Sequence, residues 1–237
     1  MTSRERLLTA LNHREPDRIP VDLGSTHVTG ISLIAYQRLR RHLGLAERET
    51  VVVDDVQQLA LPDEDLLQRV GADARGLFPL TSNQIRVPVV DRGDCWEYQD
   101  EWGLVHHMPK EGGLYYTLVQ SPLDGMGVTQ EDIASHPWPV AADPLRIAGL
   151  REQAEHFQKR GYAVVLKGLC AGLFEVASRL RGMENFLCDL LADRPLAESL
   201  LDQILKLKLE FWEMALGELG DRVDVVLEAD DYGTQES

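Results

Sequence analysis

The segment YAVVLKGLC, Tyr162 to Cys170, decides the fold class of this chain. Its apolar, β-branched run is short and continuous, the pattern of a strand buried on both faces rather than of an amphipathic helix. A helix is expected before it, from Pro144 to Arg160 and closed by Gly161, and a longer helical region after it. Helix, buried strand and helix in succession point to parallel strands joined by helical crossovers. Lys167 stands inside this apolar run. A lysine there must meet an anion or reach an open cavity, so it is a candidate for holding a substrate anion. Pairing with an acid of the neighbouring strand is the structural alternative.

The same alternation extends in both directions. Thr2 and Glu5 form a capping box ahead of a helix with Leu7, Leu8 and Leu11 on one face, and the helix is expected to stop before Pro16. RIPVDLG, Arg18 to Gly24, reads as a short buried strand, and ISLIAYQRLRRHLG, Ile31 to Gly44, as a helix with a basic last turn. TVVVDDVQQ, from Thr50, reads as a strand breaking into Asp54 and Asp55. PDEDLLQRVG, Pro62 to Gly71, is a helix with Pro at its start and Gly at its end, and ADARGLF is a further strand. Residues 82–121 change to period-two segments punctuated by Gly and Pro, an antiparallel β-hairpin insertion. LFEVASRLRGMENFLCDLLADRP and the residues up to Gly220 are two or three helices broken near Gly182 and Pro195. In the last of them Leu205, Leu209, Trp212 and Leu216 share one face and are expected to pack into the core. VDVVLEADDYGTQES, Val223 to Ser237, is a final strand running into Asp230 and Asp231.

In parallel α/β folds, function gathers at the carboxyl ends of the strands. Asp22, Asp54 with Asp55, Lys167, and Asp230 with Asp231 all stand at such ends, a regularity that favours a (β/α)8 TIM barrel over a doubly wound sheet. No G-x-G-x-x-G or phosphate-binding loop pattern is present. A complete barrel takes roughly 250 residues or more, and only about five of its eight strands can be counted here. The expectation is therefore one domain, residues 1–237, forming the N-terminal part of a barrel, with 82–121 inserted into it. An open barrel exposes strand edges, which predicts association with another copy, a homodimer.

The chain has 237 residues, 44% hydrophobic and 27% charged, with a net charge of -15, so binding to a nucleic-acid backbone is disfavoured. No apolar run has membrane-spanning length, and the charged amphipathic start is unlike a signal peptide. Three unevenly spaced cysteines, Cys95, Cys170 and Cys188, suit a reducing cytoplasm better than a disulfide framework.

Each candidate group has a bland alternative. Asp54 and Asp55, or Asp230 and Asp231, would supply acid/base or ligand-binding carboxylates, but one aspartate at such a turn also serves as a helix N-cap. His27, in the glycine-flanked loop GSTHVTG, is a pocket candidate or simply a solvated loop residue. His106 and His107 alternate on a strand, which puts their rings on opposite faces and disfavours a shared metal site. Cys170 is a soft ligand or a small buried residue. No His-x-Cys, Cys-x-x-Cys or His-Glu-x-x-His spacing occurs, so no metal ligands are assigned.

Taken in order, SRERLLTALNHREPDRIPVDLG, DDVQQLALPDEDLLQRVGAD, DEWG, LFEVASRLRGMENFLCDLLADRP and EADDYGTQES resemble the uroporphyrinogen decarboxylase superfamily, most closely its corrinoid-dependent methyltransferase-like branch. The resemblance spans nearly the whole chain and implies a (β/α)8 barrel. The decarboxylase motif Arg-Gln-Ala-Gly-Arg is replaced by LGSTHVTGISL, with no arginine from Gly24 to Gln37. By the same resemblance the family's catalytic aspartate matches Asp55, its active-site tyrosine falls on Ser178, and a serine falls on Asp231. A polycarboxylate substrate needs a basic pocket, whereas this chain offers mainly acids, which disfavours decarboxylation in porphyrin biosynthesis. The methyltransferase branch implies methyl transfer to or from a small molecule, with a corrinoid protein as partner. It also implies zinc, on ligands expected beyond residue 237. On this reading Asp55 and Asp231 are catalytic, and His27, Asp54, Gln57, Lys167, Asp230 and Gln235 bind substrate. A non-catalytic ligand-binding half-barrel is the further alternative.

Overall fold

The computed structural model describes residues 1–81 and 88–233. In chain order its elements are α1 (Ser3–Leu11), β1 (Ile31–Ser32), α2 (Leu33–His42), β2 (Val52–Asp54), β3 (Leu59–Ala60), α3 (Glu64–Val70) and β4 (Ala74–Leu77). β5 (Val90–Asp91), β6 (Cys95–Gln99), β7 (Val105–Pro109), β8 (Thr117–Gln120) and α4 (Gln130–Ser135) follow. A 3₁₀ turn (Pro144–Ile147) precedes α5 (Leu150–Lys159), β9 (Ala163–Lys167), α6 (Leu173–Arg181), α7 (Met183–Ala192), α8 (Arg194–Leu219) and β10 (Val225–Leu227). The class is mixed α/β. Two compact units divide the chain: residues 1–79, 147–167 and 218–227 form the first, and 80–146, 168–217 and 228–237 the second.

The first unit holds the parallel sheet, in the order β10-β9-β4. β9 is its central strand, and Ala163, Val164, Val165 and Leu166 are all buried, as the apolar run predicts. α1 and α5 pack against β4 and β9. Asp73, directly before β4, is fully buried; it accepts hydrogen bonds from Arg6 Nη1 at 2.7 Å, Arg18 Nη1 at 2.8 Å and the Val21 amide at 2.8 Å. A second cluster packs Tyr36, Ala60 and Leu66 against Leu23, Ile31, Leu39 and Val70. Among the described residues the parallel sheet has three strands and does not close into a barrel.

Two expected parallel strands take other forms. RIPVDLG is not a buried strand: Ile19 is 83% exposed, and among the described residues Val21 pairs only with Asp73, whose amide donates to the Val21 carbonyl at 2.7 Å. Pro16 and Pro20 remove the amide donors that a ladder here would need. TVVVDDVQQ does contain β2, but this strand pairs antiparallel with β3 in a separate small sheet ordered β1-β3-β2. The Gln57 amide donates to Asp54 Oδ1 at 2.8 Å, folding the chain straight back.

The second unit contains an antiparallel sheet ordered β5-β6-β7-β8, where period-two patterning predicts a hairpin; residues 82–87 of that stretch lie outside the described residues. His106 and His107 face opposite ways. His106 is buried, stacks on Tyr98 at 4.9 Å and places Nε2 3.2 Å from Asp100 Oδ2, whereas His107 Nε2 lies 2.6 Å from Glu97 Oε2. The helix expected over Pro144–Arg160 is divided at Gly149, whose φ of 77° ends the 3₁₀ turn before α5.

The stripe on α8 is corrected as well. Leu205, Leu209 and Leu216 are 40%, 59% and 41% exposed, while Leu200, Ile204, Leu207, Lys208, Phe211 and Ala215 form the buried face. Both stripes repeat with helical spacing, so periodicity alone could not choose between them.

Candidate functional site

β9 and β10 run parallel and in register, Leu227 opposite Lys167. The loops after them, beginning at Gly168 and Glu228, belong to the second unit and come together around one buried lysine. Lys208, on the inner face of α8, donates to Glu228 Oε2 at 2.6 Å, to the Ala171 carbonyl at 2.9 Å and to Cys170 Sγ at 3.8 Å. Trp212, one turn further along α8, donates its indole N–H to Glu228 Oε1 at 2.5 Å. The two carboxylate oxygens therefore have separate donors, and the ammonium is paired, as a buried charge must be.

Asp230 sits beside this cluster and holds the start of α6. Its Oδ2 accepts from the Phe174 amide and its Oδ1 from the Glu175 amide, both at 2.9 Å, and Oδ1 also accepts from the Asp231 amide at 2.9 Å. Burial alone would raise its pKa. The three backbone donors, with a hydrogen bond to Tyr232, outweigh that and hold the carboxyl below its ordinary value. Asp230 thus caps a helix distant in sequence and places an anion at the positive end of the helix dipole. Gly172 makes the approach possible, because a Cβ there would come within 1.9 Å of Asp230 Cγ.

The other expected residues occupy several places. Asp231 is exposed, its amide turned to Asp230. Gln235 lies outside the described residues. Asp54 is half-buried and closes the β2–β3 turn onto Gln57, with Asp55 and Gln57 exposed in that turn. His27, half-buried, lies in a loop closed by Gly24 N–H to the Thr29 carbonyl at 2.8 Å and Gly30 N–H to the His27 carbonyl at 3.2 Å. That loop touches β4 so closely that a Cβ on Gly76 would fall 2.2 Å from the Ser25 carbonyl oxygen. Lys167, half-buried at the carboxyl end of β9, has no hydrogen-bond or ion-pair partner among the described residues. Ser178 is buried on α6 with its hydroxyl unpartnered among those residues.

The structure joins Asp54 to Gln57 and Asp230 to Asp231, and adds Lys208, Glu228 and Trp212, none of which the sequence assigns to a site, Trp212 being expected only as a core residue. The signal for Lys208 was a lysine in line with Ile204, Phe211 and Ala215, obscured by the competing leucine stripe. Among the described residues, no group of three or more His, Cys, Asp or Glu side chains could hold a metal ion. No helix there is long and apolar enough to cross a membrane.

The fold has a likeness among solved structures. The chain matches a methyltransferase from Methanosarcina mazei with a TM-score of 0.54 and 20% sequence identity, over 97% of this chain and 59% of that one. It therefore spans about three-fifths of that protein's length. At this identity, what is shared is the fold. No protein-family model and no curated protein matches the chain.

Proposed function

We propose that this chain is the substrate-handling part of an α/β enzyme that transfers a methyl group between a small molecule and a corrinoid held by a partner protein, in the cytoplasm. The supporting observation is Lys167, a half-buried cation at the carboxyl end of the central parallel strand, without an anionic partner among the described residues. An uncommitted ammonium at that end of a parallel sheet suits a carboxylate or phosphate on a bound small molecule. The fold shared with a methyltransferase adds support.

On this reading the strands belong to a (β/α)8 barrel of the uroporphyrinogen decarboxylase type, and Lys167 anchors the substrate's anionic group. Asp55 or Asp231 moves the proton that accompanies methyl transfer, and His27, Asp54, Gln57, Asp230 and Gln235 are the further substrate-binding candidates, Gln235 lying outside the described residues. Zinc, which the family resemblance implies, does not fit the described residues, because they offer no cluster of metal-binding side chains. The corrinoid partner, as methyl donor or acceptor, is part of the same proposal.

The test follows methylcobalamin by its visible spectrum, with the protein expressed to the end of its reading frame. Small thiols and methoxylated aromatics, each with and without a carboxylate, serve as partners. Turnover should require the anionic group. Lys167→Met should raise KM by roughly tenfold or more, as loss of a charge-assisted hydrogen bond implies, with a smaller effect on kcat. Asp231→Ala and Asp55→Ala should lower kcat. Unchanged kinetics in all three variants, or turnover of a tetrapyrrole polycarboxylate without any methyl donor, would overturn the proposal.

A further inference from the structure

The Lys208 cluster is not used by the proposed methyl transfer, and it surrounds a thiol. An ammonium has three N–H donors, and at Lys208 the three acceptors are the Glu228 carboxylate, the Ala171 carbonyl and Cys170 Sγ. Lys208 is only 7% exposed, so water does not compete freely for these contacts. Cys170 itself is half-buried. A cation donating to sulfur favours the thiolate, the nucleophilic form.

The other two cysteines lack this arrangement. Cys95 lies among carboxylates, and burial together with Asp94 pushes its thiol up. Cys188 is exposed on α7 with no cationic partner among the described residues.

We propose that Cys170 is a modification site, a lysine-held thiolate that takes low-molecular-weight disulfides as mixed disulfides. The Cys170 thiolate attacks one sulfur of the incoming disulfide along the S–S axis. A new S–S bond forms, the old one breaks, and the departing thiolate takes a proton from solvent. Cys170 is oxidised, and the incoming disulfide is reduced to one bound half and one free thiol. The modified sulfur has lost its negative charge, which leaves Lys208 to Glu228 and Ala171.

The test treats the folded chain with 4,4′-dithiodipyridine, quenches with acid and maps the adducts by mass spectrometry, with Cys188 as internal reference. Cys170 should react faster than Cys188 at pH 7 despite its lower exposure. Lys208→Met should slow Cys170 by about threefold at pH 7, the net of roughly tenfold less thiolate and a partly compensating gain in intrinsic nucleophilicity. The difference should close as pH rises and reverse once both thiols are fully ionised, because the variant's more basic thiolate is the better nucleophile. Glu228→Gln, which removes the carboxylate competing for the ammonium, should accelerate Cys170. If Lys208→Met alone does not fold, Lys208→Met/Glu228→Gln measured against Glu228→Gln carries the expected slowing without a stranded carboxylate. Faster reaction at Cys188 in the parent chain, or an unchanged Cys170-to-Cys188 ratio in the Lys208 variants, would overturn the proposal.

Discussion

Gly172→Ala is the sharpest probe of the candidate site, because its effect should reverse with the state of Asp230. The backbone at Gly172 has φ -66° and ψ 173°, which any residue adopts. By itself, alanine there would restrict the unfolded chain and stabilise the fold by about 0.4–1 kcal/mol. In the native protein, however, the new methyl would collide with Asp230 Cγ and drive the carboxylate from the Phe174 and Glu175 amides. Loss of a helix cap costs about 0.5–2 kcal/mol, and because this acceptor is charged and half-buried, about 2 kcal/mol is expected. For a chain of this size that lowers the melting temperature by about 4–8 °C. Asp230→Gly alone should cost a similar amount. In the Asp230→Gly background, Gly172→Ala meets neither the carboxylate nor the Asp230 Cβ, which would otherwise stand 2.2 Å from the new methyl, and should be neutral or slightly stabilising. A calorimetric double-mutant cycle on the four proteins measures this coupling. Additive losses would refute the assignment of Asp230 as the partner that requires Gly172, and with it the role of Asp230 as the cap of α6.

Asp73→Asn should be more severe, because it leaves Arg6 and Arg18 without their shared buried carboxylate, at a cost of about 3–5 kcal/mol by urea denaturation. Burial pushes Asp73 up, but the Val21 amide, Ser3, Arg18 and Arg6 together hold its pKa below the ordinary value of 3.8. Its stabilisation is therefore present above about pH 4 and lost as pH falls through the lower folded-state value. The Asn variant should show a smaller decline in melting temperature below pH 4 than the parent. On α8, Leu209→Lys should shift the melting temperature by no more than about 2 °C, as expected for an exposed position, whereas Phe211→Ala on the buried face should cost about 3–5 kcal/mol. Equal losses at the two positions would restore the leucine stripe to the core.

Continuous burial was legible in the sequence wherever burial alone decided the outcome. β9 reads as a two-faced buried strand because it is one, and Gly161 and Gly71 end their helices as expected. Strand partners were not legible. The valines of β2 suit either a parallel or an antiparallel neighbour, and the choice falls to a turn made by Asp54 and Gln57. Pro20, within RIPVDLG, lacks the amide donor of a ladder strand and is a sequence signal against a strand there. At the candidate site, acids at strand ends were found because they are close to one another in sequence. Lys208 and Glu228 were not, since their pairing joins residues twenty apart through a helix whose orientation only packing fixes. Asp230 shows the limit most plainly: an acid after a strand was anticipated, but not that its main contacts would be the amides of a helix more than fifty residues earlier.

The division of the chain into two interleaved units also bears on biosynthesis. The first unit takes its third segment from residues 218–227, so β9 acquires its second neighbour only when β10 has left the ribosome. Until then its carbonyls and amides on that side are open to any passing strand. The nascent protein must therefore shield that edge, or keep it unfolded, through the synthesis of three helices. Nor can either unit be excised with a single cut, so limited proteolysis should produce nicked, still-associated fragments rather than a free domain.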